Sequence, residues 1–175
     1  MRHHVVTGLV FGAVLCAAGA VSAQQPAPPN LDAIPDAMPF NIPYGPAIGA
    51  DKAHEMIVAA VNEAKKRKWS MNIAVVDPNG DLIAFERMDG AQLASISIAQ
   101  HKARAAARFR RETKLFENGV QNGIHYLATL DDVIASRGGI PLVEGGKLIG
   151  AIGCSGGTGS QDEVIAKAGA AVVNK

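Results

Sequence analysis

The sequence predicts an α+β fold, with helices packed on an antiparallel sheet of about five strands. Three observations carry this expectation. Stretches of helical apolar period alternate with short runs rich in branched aliphatic residues. Within each pair of such runs a tight turn, Asp77-Pro78-Asn79-Gly80 or Gly145-Gly146, makes the two strands antiparallel neighbours. Hydrophobic residues make up 48% of the 175 positions and charged residues 19%, enough for one packed domain. Aromatics are only 5%, so the core must be built from small and branched aliphatic side chains. The formal net charge of +1 excludes a strongly basic nucleic-acid binder.

At the N-terminus Arg2, His3 and His4 precede an apolar run from Val5 to Ala20. Small residues Val21-Ser22-Ala23 follow, then Gln24-Gln25-Pro26. This is the pattern of a cleaved export signal over residues 1–23, and its apolar run is shorter than the ~20 residues a membrane span requires. It predicts a periplasmic or secreted protein without a stable membrane anchor. Cleavage removes Arg2 and Cys16, leaving basic and acidic residues in balance and Cys154 as a lone thiol in an apolar strand. A lone cysteine in such a setting reads as a buried core residue, and the fold must hold by packing without an intrachain disulfide.

Residues 24–46 hold seven of the nine prolines. No helix survives that spacing, which predicts an extended arm. Its apolar members Leu31, Ile34, Met38, Phe40, Ile42 and Tyr44 suit an arm that lies on its own domain or on a second subunit.

The compact domain is expected over residues 47–175. Ala53, Met56, Ile57, Ala60, Val61 and Ala64 form one stripe of an amphipathic helix, closed by the basic run Lys65 to Lys68. Met71 to Val76 and Asp81 to Glu86 form the first hairpin, after which Arg87-Met88-Asp89-Gly90 leads out. Ser95 to about Arg111 is an Ala-rich helix whose small face permits close approach to a sheet, a helix or a flat ligand. Its other face carries Ser97, His101, Arg104, Arg108 and Arg111 at spacings of three and four. Glu117 to Asp132 shows no clean period and is expected to be mostly irregular. Ile140 to Val143 and Lys147 to Cys154 form the second hairpin. Ser160 and Glu163 match a capping box at the start of the last helix, with Val164, Ile165, Ala168, Ala171 and Val172 as its apolar stripe.

Chemistry-bearing patterns are few. No Walker loop, nucleophile elbow or H-E-x-x-H motif is present. The loop from Gly153 to Gly159 ahead of the last helix either cradles an anion on its N–H groups or makes a tight turn. The stripe of His101, Arg104 and Arg108 is the best local signal. An imidazole beside guanidiniums can ligate iron while arginine pairs with carboxylates of the same ligand. The same residues also suit a solvated helix face. His54 and His125 lack such company and read as surface or packing residues.

Several segments in order carry a family resemblance: Ile73-Ala74-Val75-Val76-Asp77 with Gly80, Arg87-Met88-Asp89-Gly90, Ile98-Ala99 to Lys102-Ala103, Gly138-Gly139-Ile140-Pro141, and Gly150 to Gly157 with Asp162. Together they resemble the GlcG/HbpS family of haem-binding and haem-degrading domains, over essentially all of residues 47–175 and not over the proline-rich arm. The resemblance implies a profilin-like fold, assembly into homo-oligomers, often octamers, and haem as cofactor in some members. Arg87, Asp89, Gly90 and Lys102 match family motifs as ligands or as architecture, and Thr113, just past the second helix, is a candidate oxygen ligand. His101 lies outside those motifs.

Two functions follow as expectations. One is an exported haem-binding protein that sequesters or slowly degrades haem. His101 would be the iron ligand, with Arg104, Arg108, Thr113 and Arg87 around the cofactor, between subunits. The other is a cofactor-free oligomeric scaffold or accessory protein of a small-molecule oxidation pathway. A third, less favoured, is a small-molecule enzyme using Asp89 and Arg87 at a subunit cleft.

Overall fold

The computed structural model describes residues 30–174. The export signal expected over residues 1–23, and the start of the arm, lie outside them. The chain forms α1 (Ala50–Arg67), β1 (Asn72–Val76), β2 (Leu82–Arg87), α2 (Ser95–Arg108), α3 (Lys114–Gln121), a 3₁₀ turn (His125–Thr129), β3 (Gly139–Glu144), β4 (Lys147–Ser155) and α4 (Gly159–Ala170). All strand pairs are antiparallel, in the order β2-β1-β4-β3.

The sheet therefore has four strands, not about five. The two hairpins supply all four. The arm reaches β4 where β1 ends, but it contributes only a parallel bridge, Tyr44 opposite Leu148. Gly45 N–H donates to Leu148 O at 2.7 Å, Leu148 N–H to Pro43 O at 2.8 Å and Ile48 N–H to Ile149 O at 2.8 Å. Pro43 and Pro46 have no N–H to extend that ladder into a strand.

Strand alternation separates two cores. Ile73, Val75, Ile152 and Cys154 point to α1 and α4, where they meet Met56, Ala60, Ile165 and Ala166. Ala74, Val76 and Ala151 point the other way, onto Ala99, Ala103, Ala106 and Ala107 of α2. The first core is filled by large aliphatic side chains, worth ~1.5–3 kcal/mol each on burial. The second has little but methyl groups, so it works only if helix and sheet touch. Gly153 and Gly139 permit that. A Cβ on Gly153 would lie 2.1 Å from Ala99 O and 2.4 Å from Ala103 N, and one on Gly139 would lie 2.3 Å from Lys102 O. The outer edge of β3 is closed by Asn174, whose amide donates to Pro141 O and accepts from Val143 N–H, both at 2.9 Å. That side chain satisfies edge groups that another strand would otherwise seek.

Three local expectations change. Helix α2 ends at Arg108 rather than near Arg111, because Arg110 takes a left-handed backbone (φ 53°). Lys114–Gln121 is helical where no regular element was expected. It buries only Phe116 and Gly119, too little surface to print a period on the sequence. The capping box of α4 is Thr158 and Gln161 instead of Ser160 and Glu163: Gln161 N–H donates to Thr158 Oγ1 and Thr158 N–H to Gln161 Oε1. Both pairs have the right spacing, and the earlier one wins because Glu163 is held by Lys114 and Lys167.

Gly153→Ala should destabilise the protein by at least about 1–3 kcal/mol, because a methyl group would have to displace helix backbone. Thermal unfolding checks this through a lowered Tm.

Candidate functional site

Because α2 presses its alanines onto the sheet, its remaining face must point outward. That face lines an open groove of about 390 Å³ formed by Ile96, Ser97, Gln100, His101, Arg104 and Asp132. The His101 ring is half-buried and makes no hydrogen bond among the described residues. Arg104 stands one turn further along. Its methylenes run over Gly80 of the first hairpin turn, where a Cβ would come within 2.6 Å of Arg104 Cγ. The hairpin turn thus fixes the stem of Arg104 while leaving its guanidinium at the groove.

The sequence placed Arg108 and Arg111 on the same stripe, but the arm divides it. Arg108 faces a second groove of about 660 Å³, lined by Tyr44, Gly45, Ala47, Asp77, Pro78 and Asn79. Its Nε donates to Asn79 O at 2.6 Å, and its Nη1 pairs with the Asp132 carboxylate. Tyr44 OH donates to Arg108 O at 2.8 Å, and Arg110 Nη1 donates to Ile42 O at 3.0 Å. The Arg111 guanidinium lies 3.4 Å from the Phe40 ring centroid. Burial, then neighbouring Arg110, lowers its pKa from the ordinary value. The arm is therefore strapped to its own domain by the end of α2, and Arg111 is used in that strap.

Thr113 and Arg87 lie outside the His101 groove. Thr113 is fully buried: its Oγ1 accepts from Gly139 N–H at 3.0 Å and its own N–H donates to Gly139 O at 3.1 Å. This fastens the start of α3 to the edge of the sheet. Arg87 is exposed at the end of β2, opposite Asn72, and forms no ion pair with Asp89 among the described residues.

Lys102 is architecture. Its Nζ lies 2.7 Å from Asp162 Oδ2, with the two side chains 1% and 3% exposed. The pair joins α2 to α4 beside Gly138, where a Cβ would lie 2.8 Å from the Asp162 Cβ and 3.3 Å from the ammonium. Burial pushes the Asp162 carboxyl above its ordinary range, while Lys102 and the amides of Gly157 and Gly156 pull the other way. Gly157 N–H donates to Asp162 Oδ1 at 3.1 Å. The glycine-rich loop thus receives an anion from its own chain. Cys154 is buried and its thiol is pushed up by desolvation, as a core thiol should be.

Among the described residues no three His, Cys, Asp or Glu side chains gather as metal ligands. A porphyrin supplies four nitrogens of its own, so haem iron needs only one protein ligand. A single free imidazole beside a guanidinium and the apolar Ile96 is a donor set that fits haem. Sequence reasoning missed three members of this groove: Ile96 and Gln100, which flank the stripe on α2, and Asp132. Asp132 sits in a stretch without period, 24 residues from the arginine it pairs with.

Comparison with known proteins adds independent evidence. The family described as haem degrading protein HbpS-like matches residues 48–171. Protein GlcG of Escherichia coli K12 is 46% identical over 103 residues, covering 59% of this chain and 77% of that protein. The corrinoid adenosyltransferase PduO of Citrobacter freundii is 30% identical over 132 residues; the match covers 73% of this chain but only 39% of that enzyme. Among solved structures, a double mutant of Streptomyces reticuli HbpS superposes with a TM-score of 0.70 at 28% identity, covering 82% of this chain and 98% of that one. A crystal structure of a PduOC:haem complex gives a TM-score of 0.66 at 30% identity, over 73% of this chain and 96% of that one.

Lys102→Met strands a buried carboxylate and should cost ~3–5 kcal/mol. Chemical denaturation of Lys102→Met, Asp162→Asn and the double variant should show the double loss to be smaller than the two single losses added.

Proposed function

The chain belongs to the HbpS-like family of haem degrading proteins, and on that premise we propose that it is itself a haem-binding protein. The observation that carries the reading is the free His101 imidazole in the α2 groove, with Arg104 one turn away. In this reading His101 ligates the iron, Arg104 pairs with a propionate and Ile96 lies against the porphyrin. Bound haem supplies an iron centre able to bind oxygen or exchange an electron. The chain's own residues hold and orient the cofactor and shield one of its sides.

The groove offers one wall of such a site, because it is open on the side away from α2. We propose that a second copy of the chain supplies the other wall, making the working form a homo-oligomer. The profilin-like character of the fold and the export of the mature chain belong to the same proposal. Thr113 and Arg87 have no place in this site, since neither lines the groove.

Titration of the mature protein with haemin should give a saturating Soret shift. His101→Ala should weaken it by at least about tenfold, as expected when a metal site loses a ligand. Arg104→Gln should weaken it by about two- to fivefold, the range of an exposed charge pair. Absence of any specific shift in the wild type would favour a cofactor-free scaffold. For export, mass spectrometry of protein recovered from the medium or periplasm should find a chain beginning at Gln24.

A further inference from the structure

We infer that Asp132 is a built-in competitor for the ligand's carboxylate, and that it sets how strongly the α2 groove selects dianionic porphyrins over neutral ones. The inference rests on the haem-binding reading of the groove and deepens it.

A groove that recognises a ligand with two carboxylates needs two cations at its rim. Arg104 lines the groove, and Arg108, one turn further along α2, faces the neighbouring groove and meets this one through Asp132. Arg108 already has an anion. The Asp132 carboxylate pairs with its Nη1, in a contact whose side chains are 46% and 27% exposed. Asp132 also lines the groove that holds His101 and Arg104. A ligand carboxylate reaching from this groove to Arg108 would therefore have to displace Asp132.

Asp132 sits at φ 64°, a left-handed conformation that L-residues adopt at a cost, although aspartate and asparagine tolerate it better than most. It follows the 3₁₀ turn in a short irregular segment, and Arg108 has a second anchor in Asn79 O, so the arginine keeps its position if Asp132 moves away. The pair is partly solvated, which makes it weak enough for a ligand carboxylate to displace. A neutral porphyrin gains nothing from that exchange and still faces the negative charge near the ring.

Asp132→Asn tests the inference, because asparagine keeps the left-handed backbone and removes only the charge. Mature wild type, Asp132→Asn and Arg108→Gln/Asp132→Asn would each be titrated with haemin and with haemin dimethyl ester, which lacks free carboxylates. Circular dichroism would confirm that each variant is folded. The expected result is haemin binding about two- to fivefold tighter in Asp132→Asn, the scale of an exposed ion pair. Ester affinity should change less, and Arg108→Gln should cancel the haemin gain. Unchanged or weaker haemin binding in Asp132→Asn, with normal binding in the wild type, overturns the competitor role alone. An equal gain for haemin and ester also overturns it, since carboxylate exchange would then play no part. If none of the three proteins binds haemin, the haem reading falls and takes this inference with it.

Discussion

The close contact between α2 and β4 governs the rest of the molecule. At Gly153 the helix backbone lies where a side chain would otherwise be, with Ala99 O and Ala103 N against the strand. Such closeness demands glycine on the sheet and alanine on the helix, and the interface is built of these together with Ala74, Val76 and Ala151. It has little volume and correspondingly little transfer free energy per residue. Its strength comes from tight packing over many small contacts. Methyl-sized errors are therefore costly here, whereas the α1/α4 side has long aliphatic chains that can adjust.

Two consequences follow. With its small face flat on the sheet, α2 can bury no long side chain there, so Lys102 escapes sideways past Gly138 and finds Asp162 on α4. The ion pair ties together helices that lie on opposite faces of the sheet, and the glycine loop at the start of α4 closes around the same carboxylate. The opposite face of α2 is left to solvent, which is where His101 and Arg104 stand. Neighbouring loops then convert that face into a groove: the first hairpin turn steadies Arg104, and the segment after the 3₁₀ turn brings in Asp132. The arm, held by Tyr44, Arg110 and Arg111, lines the larger groove beside Arg108.

Much of this was legible in the sequence, for identifiable reasons. Tight turns at Asp77–Gly80 and Gly145-Gly146 declared the hairpins, and the alanine run declared a helix made for close approach. Among the segments that carried the family resemblance, Ala99, Lys102, Gly138, Gly139 and Gly153 prove to be parts of the α2–sheet contact and its ion pair. That is why resemblance identified the family and said little about a ligand: these residues describe packing. The stripe His101, Arg104, Arg108, Arg111 was visible as a helical spacing, but its division was not. Asp132, Asn79 and Tyr44 reach Arg108 across 24, 29 and 64 residues, and no local pattern announces such contacts. Helix α3 was hidden because it buries so little. The assignment of Ser160 and Glu163 as a capping box failed for a different reason. Two overlapping motifs competed, and Glu163 was taken by Lys167 one turn along α4 and by distant Lys114.

The central claim is that the outer face of α2, freed by its contact with the sheet, is the ligand-binding surface. Amide spectra of isotope-labelled mature protein with substoichiometric haemin test it directly, because the paramagnetic iron broadens signals from nearby residues. The account predicts loss of signal centred on Ile96 to Arg104 and on Asp132. Broadening centred instead on the separate cleft bordered by Trp69, Gly90 and Gly156, with the α2 signals intact, would contradict it.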